Sequence, residues 1–272
     1  MVEFITDNSF DLNNTSAYNL SIQVSLDGFS FLILDKNRLL AWKNTVAKIS
    51  SEKFIARRLR EWLDSEEVLQ KKFNDVGVTY FSRKFTCIPE AFFEEDKKEK
   101  VCELLFPDLT GQNIVACRTD KSVDRLLCAI PDNLEKLLIK QFSNYLLAHP
   151  VQHLTAGLQQ VKTASENQMA IWLGAKNLFV TIIKNEQVQL VNQFSFSNSN
   201  DVLYFVFSAL KQIGISPHKT SLYLSGYPDG TKDLLIKMNK YFERIDFLKP
   251  NEEWKLDAEN LEIPKHQLIS LF

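Results

Sequence analysis

Hydrophobic and polar residues alternate with a two-residue period from Asn19 onward. Leu20, Ile22, Val24 and Leu26 fall between Asn19, Ser21, Gln23 and Ser25. That period belongs to a half-buried strand. Asp27-Gly28 then supplies a hairpin turn, 29–34 is a second strand that is nearly apolar on both faces, Asp35-Lys36-Asn37 turns the chain again, and 38–47 is a third strand. Three antiparallel strands in a meander are the simplest arrangement. Ser50 or Ser51 caps the next element. Ile55, Leu59, Trp62, Leu69 and Phe73 recur at helical spacing among charged residues, which predicts one long amphipathic helix ending near Phe73.

Beyond it, 76–82 and 85–88 read as strands, a short helical segment begins at Pro89, and 101–106 is apolar at helical spacing. Short strands are predicted at 113–118 and 125–130, a helix from Asn133 to about Phe142 introduced by Pro131-Asp132, and a strand at 145–148. Pro150 suits the first turn of a further helix, through Val161. Then the pattern restarts. Met169, Ile171 and Leu173 alternate with Ala170 and Trp172, 174–177 turns, 178–183 is a second strand, Asn185-Glu186 turns, and 187–196 is a third. Asn198 or Asn200 caps a helix closed at Gly214, followed by a buried strand at 220–224, a helix at 229–242 and a strand at 245–248.

This recurrence organises the chain. A shift of 149 carries Leu20, Ile22 and Val24 onto Met169, Ile171 and Leu173, and Phe29, Phe31 and Ile33 onto Leu178, Val180 and Ile182. The expected architecture is α/β with two similar lobes, each a mixed sheet built as a three-stranded meander followed by helix–strand units. The first lobe spans 1–165, with an extra segment at about 76–118, and the second spans 166–272.

Two such RNase H-like halves in one chain resemble the actin-like ATPase superfamily of actin, sugar kinases and Hsp70. More narrowly, the chain resembles an uncharacterised Bacteroidetes domain-of-unknown-function family with an actin-like ATPase fold, through Phe85-Thr86-Cys87-Ile88-Pro89-Glu90 followed by Ala91-Phe92-Phe93. The resemblance implies a nucleotide in the cleft between lobes, with each lobe's first hairpin turn cradling phosphate and acidic residues positioning metal and water. The superfamily's first turn has the form Asp-x-Gly-Ser/Thr. Here it is Leu26-Asp27-Gly28-Phe29-Ser30, with Gly one place early. The second turn, Leu173-Gly174-Ala175-Lys176-Asn177, has a Gly but no carboxylate. The superfamily's adenosine motif is a strand ending in Gly-Gly, whereas Leu222-Tyr223-Leu224-Ser225-Gly226-Tyr227-Pro228 keeps one Gly. The candidate nucleotide-binding residues are therefore Asp27, Gly28, Ser30, Lys176 and Gly226. Each has a plainer reading: a ligand-free hairpin, an exposed turn lysine, a helix start. No catalytic residue is assigned.

Composition narrows the function classes. The chain has 272 residues, room for two packed lobes. Only 8 are Gly, which disfavours loops that must bring backbone against phosphate. The net charge of −2 is spread evenly, without the basic stripe of a nucleic-acid binder. The densest basic cluster, Lys53, Arg57, Arg58 and Arg60, sits beside Glu52 and Glu61 as a solvated helix face. No stretch approaches the ~20 apolar residues of a membrane span. The polar, acidic N-terminus lacks a secretory pattern, and Cys87, Cys102, Cys117 and Cys128 have no C-x-x-C spacing, so reduced thiols in the cytoplasm are expected. His149 and His153 stand four apart with Pro150 between them and are read as structural, with no metal site. His218 and His266 are isolated, Asp132 and Asp229 are expected to cap helices, and Trp42, Trp62, Trp172 and Trp254 to pack cores or lobe interfaces. The resulting expectation is a non-enzymatic actin-like scaffold that binds a protein partner, with no cofactor. The alternative is a divergent nucleotide-binding protein or weak ATPase using ATP with Mg²⁺ in the inter-lobe cleft. The stretch 254–272 is expected to pack back on the first lobe.

Overall fold

The alternation that marks strands in the sequence sorts their side chains between two faces. The computed structural model describes residues 3–117, 124–161, 165–226, 232–242 and 244–248. Tyr227, Pro228, Asp229, Trp254, His266 and the stretch 254–272 lie outside the described residues, as does Arg118 at the end of a predicted strand. The chain divides into two compact units, the first running to His149 and the second from Pro150.

The first unit opens with β1 (Glu3–Thr6) and the meander β2 (Asn19–Ser25), β3 (Gly28–Asp35) and β4 (Arg38–Val46). α1 (Ile55–Ser65) leads to β5 (Asp75–Tyr80). β6 (Phe85–Pro89), α2 (Lys98–Leu105), β7 (Gln112–Cys117) and β8 (Asp124–Pro131) follow, then α3 (Asp132–Phe142) and β9 (Leu146–Ala148). The main sheet has the order β1-β4-β3-β2-β5-β9, and β6-β8-β7 form a separate three-stranded sheet. β5 runs parallel to β2, and β9 parallel to β5.

Leu20, Ile22, Val24, Phe29, Phe31 and Ile33 point to one face and pack with Ile55, Leu59, Trp62 and Leu63 of α1 and Leu134, Leu137 and Leu138 of α3. Each fully buried Leu, Ile or Phe contributes about 1.5–3 kcal/mol of transfer free energy. The helical spacing of 55, 59, 62 and 63 follows from this contact, because those positions form one stripe.

Three features differ from expectation. The predicted long helix is broken. α1 stops at Ser65, Glu66 is extended, and 67–70 is a short 3-10 turn whose Val68 and Leu69 stay buried. Glu66 is drawn out by Lys43 Nζ, which bonds both its carboxylate oxygens at 2.6 and 2.7 Å, while Gln70 Nε2 caps Leu63 O at 2.6 Å. The polar N-terminus supplies an edge strand, with Ile5 opposite Trp42. The extra segment begins later than about 76, since β5 is an interior strand of the main sheet and the separate sheet starts at Phe85.

The second unit comprises α4 (Pro150–Gln160), β10 (Asn167–Leu173), β11 (Asn177–Lys184), β12 (Gln187–Ser195), α5 (Ser199–Gln212), β13 (Thr220–Gly226), α6 (Lys232–Met238) and β14 (Arg244–Phe247). Its sheet has the order β12-β11-β10-β13-β14. Met169, Ile171, Val180, Ile182 and Leu222 pack against Val202, Val206 and Leu210 of α5 and Leu234 and Met238 of α6. α4 packs on the same sheet, with Thr181 Oγ1 donating to Val151 O at 3.5 Å. Asn198 caps α5 in a reciprocal box: its Oδ1 accepts from Asn200 N and Asp201 N, and Asp201 Oδ2 accepts from Asn198 N.

Both sheets therefore contain a meander joined to two parallel strands. The 149-residue shift holds through all three meander strands. Asp35 pairs Arg38 as Lys184 pairs Gln187, and the register slips between Ile33 and Leu34 as it does between Ile182 and Ile183. Lys36 and Asn185, equivalent turn residues, both adopt positive φ, 52° and 49°.

Candidate functional site

Antiparallel pairing of Ser25 with Gly28 closes the first hairpin over Leu26-Asp27, so Gly28 is the first residue of β3. Ser25 Oγ accepts from Asp27 N at 3.2 Å and donates to Gly28 O at 3.1 Å, which locks the turn from within. Chain leaving β4 folds over it: Ala47 N donates to Asp27 O and Ile49 N to Leu26 O, both at 2.9 Å. Gly28 has φ +144°, and a Cβ there would lie 2.2 Å from Thr45 O and 2.8 Å from Ala47 N. Its missing side chain thus makes room for the protein's own backbone. Asp27 is half-buried.

Ser30 is 2% exposed, and its Oγ has no hydrogen-bond partner among the described residues. It stands in a row that crosses the sheet: Asn44, Ser30, Gln23 and Thr79 are aligned on β4, β3, β2 and β5. Gln23 and Thr79 are each also 2% exposed. No spacing along the chain signals this row, because its members come from four separate strands.

In the second hairpin Gly174 N donates to Asn177 O at 2.9 Å, leaving Ala175-Lys176 at the tip. Phe196 N donates to Lys176 O at 2.9 Å, the counterpart of Ala47 N on Asp27 O. The two turns are thus built alike, and Lys176 occupies the position of Asp27. Lys176 is exposed. Gly226, φ +87°, pairs with Leu173 at the end of β10, where a Cβ would lie 2.5 Å from Leu173 O. Lys176 and Gly226 therefore lie at the same end of the second unit's sheet, while Asp27, Gly28 and Ser30 belong to the first unit.

The equivalent of Gly226 in the first unit is Tyr80, opposite Val24. Burial, with Glu52 adding to it, holds the Tyr80 phenol well above its ordinary pKa. Glu52 in turn pairs with Arg83 at 3.2 Å. His149 is fully buried; its Nε2–H donates to Ser82 O at 2.9 Å and its ring lies 4.3 Å from that of Phe85. Asp132 does not cap α3: Pro131 holds the cap position, and Asp132 Oδ1 is buried without a hydrogen-bond partner among the described residues. In the basic cluster, Arg57 and Arg58 both pair with Glu61.

A cavity of about 520 Å³ opens in the second unit between Leu158, Glu166, Gln168, Ile183 and Glu186. It sits at the start of β10, about 17 Å of strand away from the Lys176 turn. Among the described residues no three His, Cys, Asp or Glu side chains gather to hold a metal ion. No helix among them is long and apolar enough to cross a membrane.

The profile of the family described as protein of unknown function (DUF3822) matches residues 7–245. The chain belongs to that family. A similar solved structure is a protein from Bacteroides thetaiotaomicron with an actin-like ATPase fold and unknown function, at TM-score 0.79 and 19% identity, covering 88% of this chain and 94% of that one. A chain of the PilM–PilN type IV pilus biogenesis complex follows at TM-score 0.54 and 12% identity, covering 93% and 94%. The ethanolamine utilization protein EutJ from Carboxydothermus hydrogenoformans matches at TM-score 0.53 and 8% identity, covering 98% and 90%. No curated protein matches. This DUF3822 chain thus has the actin-like ATPase fold, and both hairpins and Gly226 fall inside the family's span.

Proposed function

We propose that this protein is a non-catalytic member of the actin-like fold, a cytoplasmic scaffold that binds another protein and whose nucleotide motifs are eroded. One observation supports the reading: equivalent positions of the two hairpins hold Asp27 and Lys176, a carboxylate in one turn and an ammonium in the other. Mg²⁺ on a triphosphate needs near-octahedral oxygen ligation, with one or two protein carboxylates beside the phosphates. A single half-buried Asp27, in a turn whose carbonyls already bond Ala47 and Ile49, does not fit that group. The neighbour in the PilM–PilN complex is a chain of this fold within a protein assembly, which agrees with a scaffold role. The even charge distribution favours protein over nucleic acid as the partner. The test is magnesium-dependent ATP hydrolysis by the purified chain beside Asp27→Ala. Equal background rates are expected, and turnover that vanishes in the variant overturns the reading.

Lys176 and Gly226 favour one rival. They lie at the carboxyl end of β10 and β13, the end at which open α/β sheets bind ligands. A divergent nucleotide site there would use Lys176 against phosphate and let ATP stabilise the fold by mass action, about 2.7 kcal/mol at a hundredfold excess over Kd. A melting-temperature rise at millimolar ATP that disappears in Lys176→Ala supports this rival; no rise retires it.

A further inference from the structure

We propose that the outer edge of β12 is a self-association surface, pairing antiparallel with β12 of a second copy so that the two sheets continue into one. The duplication makes the case. In the first unit the outermost meander strand, β4, is covered by β1 through Ala41–Asn44, and Asp7 N extends the cover to Leu40 O at 2.8 Å. The equivalent stretch of β12 is 189–193, and among the described residues no strand lies beyond it. Among the described residues the same edge is thus closed in one copy of the fold and open in the other.

Edge strands are ordinarily protected by charge, proline or a bulge. β12 reads Gln-Val-Gln-Leu-Val-Asn-Gln-Phe-Ser, with neither charge nor proline, in a chain that is 24% charged. Its one bulge falls near Gln189 and leaves 190–195 regular. Gln193 N points away from β11, since it donates to Asn192 Oδ1 at 2.8 Å, so by alternation the Val191 and Ser195 amides point outward too. The Asn192 cap is a local substitute that a real strand would displace. Gln193 Oε1 is buried with no hydrogen-bond partner among the described residues.

A second copy is the occupant because the strand suits itself. Pairing about Asn192 sets Val191 opposite Gln193 of the second copy and Gln189 opposite Ser195, with no like charges facing each other. A two-fold contact of this kind is isologous and closes at a dimer. It is independent of whether nucleotide binds.

The experiment is sedimentation equilibrium of the full chain from micromolar to near-millimolar concentration, with hydrogen exchange at the Val191 and Gln193 amides. A dimer is expected whose formation protects those amides. Asn192 is exposed, so Asn192→Lys should keep the melting temperature while facing two ammonium groups across the axis and weakening the dimer by about tenfold or more. Val191→Pro removes an outward N–H and should weaken it likewise. Mixing Asn192→Lys with Asn192→Glu should restore a heterodimer. A chain that stays monomeric, a dimer that both single variants leave intact, or a mixture that fails to pair each overturns the proposal.

Discussion

Replacing Gly28 by Ala separates a glycine kept for packing from one kept for a ligand. The added Cβ would lie 2.2 Å from Thr45 O and 2.8 Å from Ala47 N, both backbone atoms, at φ +144°. Backbone in that region costs a non-glycine residue about 1–3 kcal/mol. Relief requires the chain after β4 to lift away, which loosens the Ala47 and Ile49 bonds to the turn, each contributing about 0.5–1.5 kcal/mol. The expected loss is therefore about 3 kcal/mol or more, a large share of the ~5–15 kcal/mol that holds a domain. Gly77→Ala is the control. Its Cβ would meet only Ser21 Oγ at 3.8 Å, an ordinary contact, so a change within about 1 kcal/mol is expected. Urea denaturation without nucleotide, comparing midpoints at constant m-value, measures both. If Gly28→Ala costs under 1 kcal/mol, the backbone contacts do not explain the glycine, and a ligand's approach becomes the better reason for it.

Glu66→Gln should cost about 1–3 kcal/mol by chemical denaturation, because its partner Lys43 is only 16% exposed and would be left with a weaker acceptor. The Asp7 carboxyl is held below its ordinary range chiefly by the Ser9 hydroxyl, then by the Ser9 amide, with Arg38 adding to it. A depressed carboxyl stabilises the fold above the ordinary carboxylate pKa and loses that contribution as pH falls through the lowered value. Ser9→Ala should move the Asp7 titration, followed by NMR, upward; an unchanged midpoint would refute the assignment. In the native protein at pH 8 a thiol reagent should modify Cys87 well before the others. Cys102 is pushed up to about 11 by burial, and Cys128 is held high by its hydrogen bond to Cys117 and by burial. Comparable rates at Cys128 would contradict that packing.

The meander strands were legible because their determinants are local. Period-two alternation and turn residues lie within a few positions of each other, and a 149-residue shift therefore reproduces turns, bulge and pairing alike. What depends on distant chain was not legible. Glu3–Thr6 is four residues without a clear period, and its strand character comes from pairing with β4. The helix toward Phe73 keeps its apolar spacing yet breaks at Glu66, because Lys43, on another element, holds that carboxylate. The strands of the third sheet were predicted singly, but their order β6-β8-β7 is a tertiary fact.

The candidate site divides along the same line. Asp27, Gly28 and Lys176 could be found as turn residues, since a turn is local. That Asp27 and Lys176 occupy one equivalent position follows only once both hairpins are seen closed by matching bonds, Ala47 N to Asp27 O and Phe196 N to Lys176 O. Duplication sharpens the inference, since two copies built on one plan report separately on each residue. Where both copies keep a feature, as with the bulge and the bond that covers each turn, the fold requires it. Where they differ, as with carboxylate against ammonium at the tips, or, among the described residues, β4 covered by a further strand and β12 not, the backbone plan permits either, and the difference is left for function to explain. The turn charges and the open edge are therefore the places in this molecule where experiment has most to decide.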